Sequence, residues 1–277
     1  MTTVGCVYHF FESDSEHQEN LKYFLKHGIL QDVYYVIVLA SEPNFQLPVL
    51  SNVSFHRITN EHRDVGGYIK GYKIINKIAD WDYIFFLNSG VLGPIRFEGL
   101  SSEKNTWVSY FLGLFKEGVQ LVGTSINTMT RPATWSDLEE QLCNSQFKHY
   151  FSQHSAVHVQ SFFFCLKRES RHFLDSIGFF DQNLSHEFTS LVANFEIALT
   201  QIILNTNSEW TVKSNLAEYN NFNLKNLECD PNFSSWNGDP YFQGAFFGST
   251  IDPRKAVFFK TTRSLLSIEE LKSYRNI

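Results

Sequence analysis

Two short polar groups flank one apolar run in the stretch IADWDYIFFLNSGVLGP, residues Ile78 to Pro94. Before the run stands Asp80-Trp81-Asp82; acids at this spacing can hold a divalent metal, which prefers carboxylate oxygens. After it stands Asn88-Ser89-Gly90, whose neutral side chains are poor ligands for a hard cation. They are good hydrogen-bond partners for sugar or ribose hydroxyls. In an open α/β sheet, ligands gather beyond the carboxyl ends of the strands. If the run is such a strand, Asp82 lies roughly 20 Å from Asn88 at about 3.3 Å per residue. The acids then read as a solvated turn at the closed end of the strand, and Asn88-Ser89-Gly90 is the live triplet.

A second grouping is TNEHRDVGGYIKGY. Asn60 to Asp64 form a polar loop, and Gly66-Gly67 opens a helix. Glycines there let a ligand approach the backbone, and the free N–H groups of a helix start suit an anion. Asp64 is placed to cap that helix. Neither the phosphate-loop nor the dinucleotide fingerprint occurs. Further on, His158 and Gln160 alternate along one apparent strand, so both point to one side. The four cysteines are dispersed without a C-x-x-C pair, which argues against a zinc or redox motif and for a reducing setting.

Positioning these groups requires a sheet. TVGCVYHFFE, DVYYVIVLAS, VSFHRITN, DYIFFLNSG and VQLVGTSIN read as strands. EHQENLKYFLKHGI, GGYIKGYKIINKIA and WVSYFLGLFKEG read as the helices between them. That alternation predicts an α/β fold with a doubly wound, mostly parallel, Rossmann-like sheet. The later half is less regular: a strand over VHVQSFFFCLKRES, a short helix at RHFLDSIGFFD, an amphipathic helix VANFEIALTQIILNTN, and a Gly/Pro-punctuated loop before AVFFKTTR. We expect a single domain over 1–277, with a regular half (1–130) and an irregular half (131–277) ending in a closing segment. The net charge of −6 argues against nucleic acid, so an anionic ligand must be met by a few placed cations. The N-terminus lacks a basic leader pattern, and the longest apolar run, Val33 to Ala40, is far short of the ~18–20 residues that span a bilayer. The N-x-S sequences at Asn52, Asn183 and Asn232 are taken as chance. No membrane span and a cytoplasmic location are the expectations.

The chain resembles the GT-A-fold glycosyltransferases, with Asn88-Ser89-Gly90 where their metal-binding Asp-x-Asp stands. More narrowly it resembles the small capsid-glycan glycosyltransferases of large algal viruses, the chloroviruses, through NEHRDVGGY, YIFFLNSGVLGP, LVGTSIN, HVQSFFF, FEIALT and FFKTTR, which occur in order from Asn60 to Arg263. The size matches their xylosyltransferase-like member. The resemblance implies transfer of a sugar from a nucleoside diphosphate donor, UDP-xylose favoured, to a glycan hydroxyl with inversion, in the host cytoplasm. With the acidic triplet missing, metal-independent donor binding is favoured, although Mn or Mg held by phosphate and water fits too.

The same resemblance makes 1–130 the nucleotide-sugar half and 131–277 the acceptor half, and it assigns residues. Tyr8 and His9, after the first strand, would face the nucleobase, and Asp64 the ribose or donor sugar. Lys260 and Arg263 would close over the phosphates, with Arg63 a further cation. Glu196 matches the general base near a helix N-terminus, where the dipole would hold it ionised; Asp181 and Glu187 are the fallbacks. The aromatic stretch SWNGDPYFQG, Ser235 to Gly244, resembles a lid or sugar platform. Two other readings compete. A nucleotidyltransferase would need a Gly-rich loop after the first strand, which VYHFFESDSEH lacks. A degenerate domain that only binds glycans or nucleotide sugars would explain the missing acids.

Overall fold

A strand that is apolar at every position must be covered on both faces, and Val33–Leu39 is of that kind. The computed structural model describes residues 2–95, 106–131, 136–232, 238–262 and 266–273. In chain order the first half contains β1 (Val4–Phe10), α1 (Ser15–His27), β2 (Val33–Leu39), β3 (Val53–Arg57), α2 (Arg63–Ile75), β4 (Tyr83–Asn88), β5 (Val91–Leu92), α3 (Trp107–Leu112), β6 (Val119–Gly123) and β7 (Ile126–Asn127). There follow α4 (Ser136–Asn144), β8 (His158–Val159), β9 (Phe163–Lys167), α5 (Arg168–Ser176) and α6 (Phe188–Leu191). A π-helical segment (Val192–Ile197) then runs into α7 (Ala198–Thr206), and β10 (Thr211–Ser214), β11 (Phe259–Lys260) and α8 (Ile268–Ser273) complete the order.

Seven strands form one sheet in the order β10-β6-β9-β4-β1-β2-β3. All neighbours are parallel except β9, which runs antiparallel to both β4 and β6. This is the mostly parallel, doubly wound α/β sheet expected above. Successive residues of β1 choose its two sides. The Tyr8 ring packs on Phe24 of α1 at 4.8 Å, while His9 meets α2, so helices cover both faces. One hydrophobic cluster runs from Val4 to Leu271 and so draws on both halves of the chain.

Two stretches expected to be single strands are each broken. VQLVGTSIN divides into β6 and β7, and VHVQSFFFCLK into β8 and β9. The detached pieces β7 and β8 pair with each other as a ribbon, in register Ile126 with Val159 and Asn127 with His158. Ser125 sits at the first break, where its hydroxyl donates to Gln160 Oε1 (2.7 Å). The late strand β11 returns to pair with β5, placing Lys260 opposite Val91. Phe188–Thr206 has the length and apolar content of a membrane span, but 72% of its most apolar window is buried within the protein, as a core helix requires.

Asp80 and Asp82 are more than a solvated turn. Asp80 accepts from Arg171 (2.7 Å) and pairs with Arg168 (3.2 Å) and His172 (3.0 Å); Asp82 pairs with Arg168 (3.1 Å) and accepts from the Thr3 N–H (2.7 Å). The acids thereby fasten α5 to the amino end of β4. Arg171 is only 1% exposed, so losing its carboxylate strands a buried guanidinium. Because Asp80 itself is half exposed, we expect Asp80→Ala to cost about 2 kcal/mol, below the range for a wholly buried pair. The hydrogen bond from Arg171 holds the Asp80 carboxyl below its ordinary value of 3.8. A depressed acid stabilises the fold above its unfolded pKa and loses that effect as pH falls through the folded one. The difference in melting temperature between wild type and Asp80→Ala should therefore be full at pH 7 and shrink below pH 3.8.

Candidate active site

The register of the central strands sets His9 beside Asn88 at the carboxyl edge of the sheet. A cleft of about 760 Å³ opens there. It gathers His9, Asn60, Arg63, Asp64, Asn88, Ser89, Gly90, His158, Gln160, Glu196 and Lys260 from six separate places in the chain.

Its polar centre is a pair of acids joined through Ser161. The Ser161 N–H donates to Glu196 Oε1 (2.8 Å), and its hydroxyl faces Asp64 Oδ2 (3.4 Å), which also accepts from Asn88 Nδ2 (3.0 Å). Burial, then the charge of Glu196, raises the Asp64 pKa. Lys260 brings the opposite charge. Burial lowers its pKa, and the Glu196 and Asp64 carboxylates work against that. Its ammonium lies over the rings of Phe162 (5.5 Å) and Tyr241 (5.9 Å), contacts that favour the charged form.

Two histidines border this centre in defined states. His158 Nδ1 faces the Ala156 carbonyl at 2.8 Å; a carbonyl only accepts, so Nδ1 carries the proton and the neutral ring keeps its lone pair on Nε2. Burial lowers the His158 pKa, so the neutral ring is favoured. His9 is 3% exposed, and its Nε2 is buried without a hydrogen-bond partner. Burial, then the charge of His17, lowers its pKa to about 4.

Several expected roles change with this geometry. Tyr8 does not reach the cleft: its neighbour His9 takes the cleft side of β1, and alternation turns Tyr8 into the core. Gly66 and Gly67 open no path for a ligand. A Cβ on Gly66 would stand 2.0 Å from the Glu61 carbonyl oxygen, and one on Gly67 would stand 2.1 Å from the His9 ring. These glycines let α2 pack against its own approach loop and against His9. The helix also begins earlier than expected, at Arg63, with His62 as its cap residue. Asp64 lies inside its first turn, where its carboxylate takes the Val65 N–H (3.2 Å).

Asn88 and Ser89 are engaged by the fold itself. Asn88 Oδ1 accepts the Gly90 N–H (2.9 Å) while its amide holds Asp64, and the Ser89 hydroxyl donates to the Phe11 carbonyl (3.0 Å). Asn88 therefore positions an acid as well as facing the cleft. This donor set does not fit an Asp-x-Asp-type metal: the one carbonyl oxygen is already bonded and the hydroxyl is buried. Among the described residues no three His, Cys, Asp or Glu side chains converge to hold an ion.

Glu196 sits in the cleft, but not near a helix N-terminus. It lies in the π-helical segment, within a continuous helix that starts at Phe188, so the dipole argument for its charge falls away. Asp181 instead pairs with Lys73 (2.8 Å), and Glu187 precedes α6 within 3.4 Å of Gln141 Nε2; neither lines the cleft. Arg263 lies outside the described residues, as do Ser235, Trp236 and Asn237 of the aromatic stretch; Tyr241 of that stretch is buried, and Phe242 lines the cleft. The sequence reading missed Phe11, His17, Asn127, Met129, Ser161 and Phe188, all in the cleft wall. Of these, Ser161 carried a signal in the sequence, since it adjoins Gln160 in the same short element.

No family model matches the chain, and no curated protein matches it. Among solved structures, one similar to it is the mannosyltransferase PcManGT from Pyrobaculum calidifontis in complex with GDP-Man and Mn2+. The TM-score is 0.39 at 10% identity, over 76% of this chain and 54% of that one. Another is S. aureus TarS 1-349, with a TM-score of 0.37 at 15% identity, over 72% of this chain and 56% of that one. The chain thus spans about half the length of these structures. Similarity at this level leaves the chemistry to be argued from the cleft.

Proposed function

We propose that the protein is a glycosyltransferase that moves a sugar from a nucleoside diphosphate sugar to a glycan hydroxyl by single displacement with inversion. The observation that carries this reading is the joining of one carboxylate, Glu196, and one half-buried cation, Lys260, in a cleft at the carboxyl edge of a mostly parallel α/β sheet. A base and a cation are the two groups such a displacement needs. Glu196 takes the proton of the acceptor hydroxyl as its oxygen bonds to the anomeric carbon. The bond from that carbon to the diphosphate oxygen breaks, and its electron pair leaves with the diphosphate, where Lys260 offsets the growing charge. Asp64, held by Asn88 and Ser161, is placed for donor sugar or ribose hydroxyls, and His9 for the nucleoside.

UDP-xylose is the favoured donor, on the resemblance described above, and a role in viral capsid-glycan synthesis rests on the same ground. Metal-independent turnover is favoured because Asn88 and Ser89 are committed to the fold. That commitment equally suits a degenerate domain that binds a nucleotide sugar without turning it over. A panel of nucleotide sugars, scored by thermal shift and by nucleotide release with Mn²⁺ or with EDTA, separates these readings. The transferase releases nucleotide from one donor in EDTA. A binder is stabilised without release, and loss of donor binding in EDTA would sink the metal-independent reading.

A further inference from the structure

Among the described residues, the exposed large apolar side chains are Val49, Ile78, Phe188 and Phe222, and of these Phe188 alone lines the cleft. It is 51% exposed at the start of α6. The Arg63 guanidinium lies over it, 4.9 Å from the ring centroid. Arg63 and the preceding His62 both have left-handed backbone, at φ 56° and 62°. Such a conformation is uncommon outside glycine and clusters at sites that bind. The turn is pinned to the segment before Phe188 through His62. His62 Nδ1 donates to the Ser185 carbonyl (2.9 Å), and the His62 ring stacks on His186 (4.4 Å, 21°). Arg63 and Phe188 are thus held together before any ligand arrives.

The same helix links this spot to the chemistry. Phe188, Val192 and Glu196 follow at intervals of four residues and all line the cleft, with Leu191 and Met129 extending the apolar wall beside them. Eight residues of helix span about 12 Å, too far for one sugar ring to touch both Phe188 and Glu196.

We propose that Phe188, overlaid by Arg63, is the platform for the second ring of the acceptor, which is therefore a glycan at least two sugars long. The terminal sugar presents its hydroxyl to Glu196, and the next ring lays its C–H face on Phe188 while Arg63 meets its hydroxyls. This assignment rests on the transferase reading above. The test measures binding of methyl monosaccharides and of disaccharides, including xylobiose, cellobiose and lactose, to the protein saturated with UDP. At least one disaccharide should bind about tenfold tighter than its monosaccharide, the effect of one well-stacked ring. Phe188→Ala should abolish that preference and Phe188→Trp keep it, while the thermal shift given by the donor stays unchanged in both. A preference that survives in Phe188→Ala, or the lack of any disaccharide preference in the wild type, would overturn the proposal. A wild-type protein stabilised by no nucleotide sugar would instead strike the transferase reading, and this one with it.

Discussion

Replacing Glu196 with Gln is expected to lower kcat for sugar transfer by about 10²- to 10⁴-fold, the usual worth of a general base. Donor affinity should stay unchanged, because the substitution is nearly isosteric. A Gln carbonyl oxygen still accepts the Ser161 N–H that now bonds Glu196 Oε1 at 2.8 Å, so the local fold is kept. What the amide cannot do is take a proton from the acceptor hydroxyl. A residue with only a structural role would instead lower the melting temperature and leave kcat alone. Asp181→Asn and Glu187→Gln serve as controls, since both acids lie off the cleft and should leave turnover intact. The assignment fails if Glu196→Gln transfers sugar at the wild-type rate, or if Asp64→Asn alone reproduces the loss.

Lys260→Met should reduce kcat by about 10²- to 10³-fold, the cost of removing one charge-stabilising group from a leaving oxyanion. A pH profile makes the assignment specific. Burial lowers the Lys260 pKa from its ordinary value of 10.5, and the protonated form is the one that can meet the diphosphate. Activity should therefore fall on the alkaline side at a pH below 10.5. Lys260→Arg, whose guanidinium stays charged, should restore part of the rate and move that alkaline limb upward. An unchanged limb in Lys260→Arg would show that another group titrates there. Full activity in Lys260→Met would return the search for the counter-charge to Arg63 and Arg263.

The parts of this site that were legible were those set by strand direction. Once Tyr83 to Leu87 was recognised as a strand, its carboxyl end had to carry Asn88-Ser89-Gly90, and the sheet places them in the cleft. Adjacent residues were harder to divide. Tyr8 and His9 follow each other on β1, one must face each way, and nothing in their types says which. Gly66 and Gly67 marked a close approach correctly, but the body approaching is the protein's own backbone and the His9 ring. Glu196 was placed by likeness, with a dipole argument that assumed a helix start at Val192, four residues too late. Phe188 and Met129 escaped notice because an apolar residue in a helix or loop looks the same whether it faces a core or a substrate.

The π-helical segment Val192–Ile197 has a further consequence, for changes in chain length. A π turn holds one residue more than an α turn. Each residue of an α-helix turns the chain by about 100°. In a regular α-helix, residues eight apart would face directions about 80° apart. The wide turn takes up the extra residue and lets Phe188 and Glu196 share a wall. Deleting Asn194 would let the helix wind regularly with an interval of about seven residues between the two, close to two full turns, and would leave both on that wall. Insertion of a residue elsewhere between them, with no second wide turn to absorb it, would turn Phe188 away from Glu196 by about 100°.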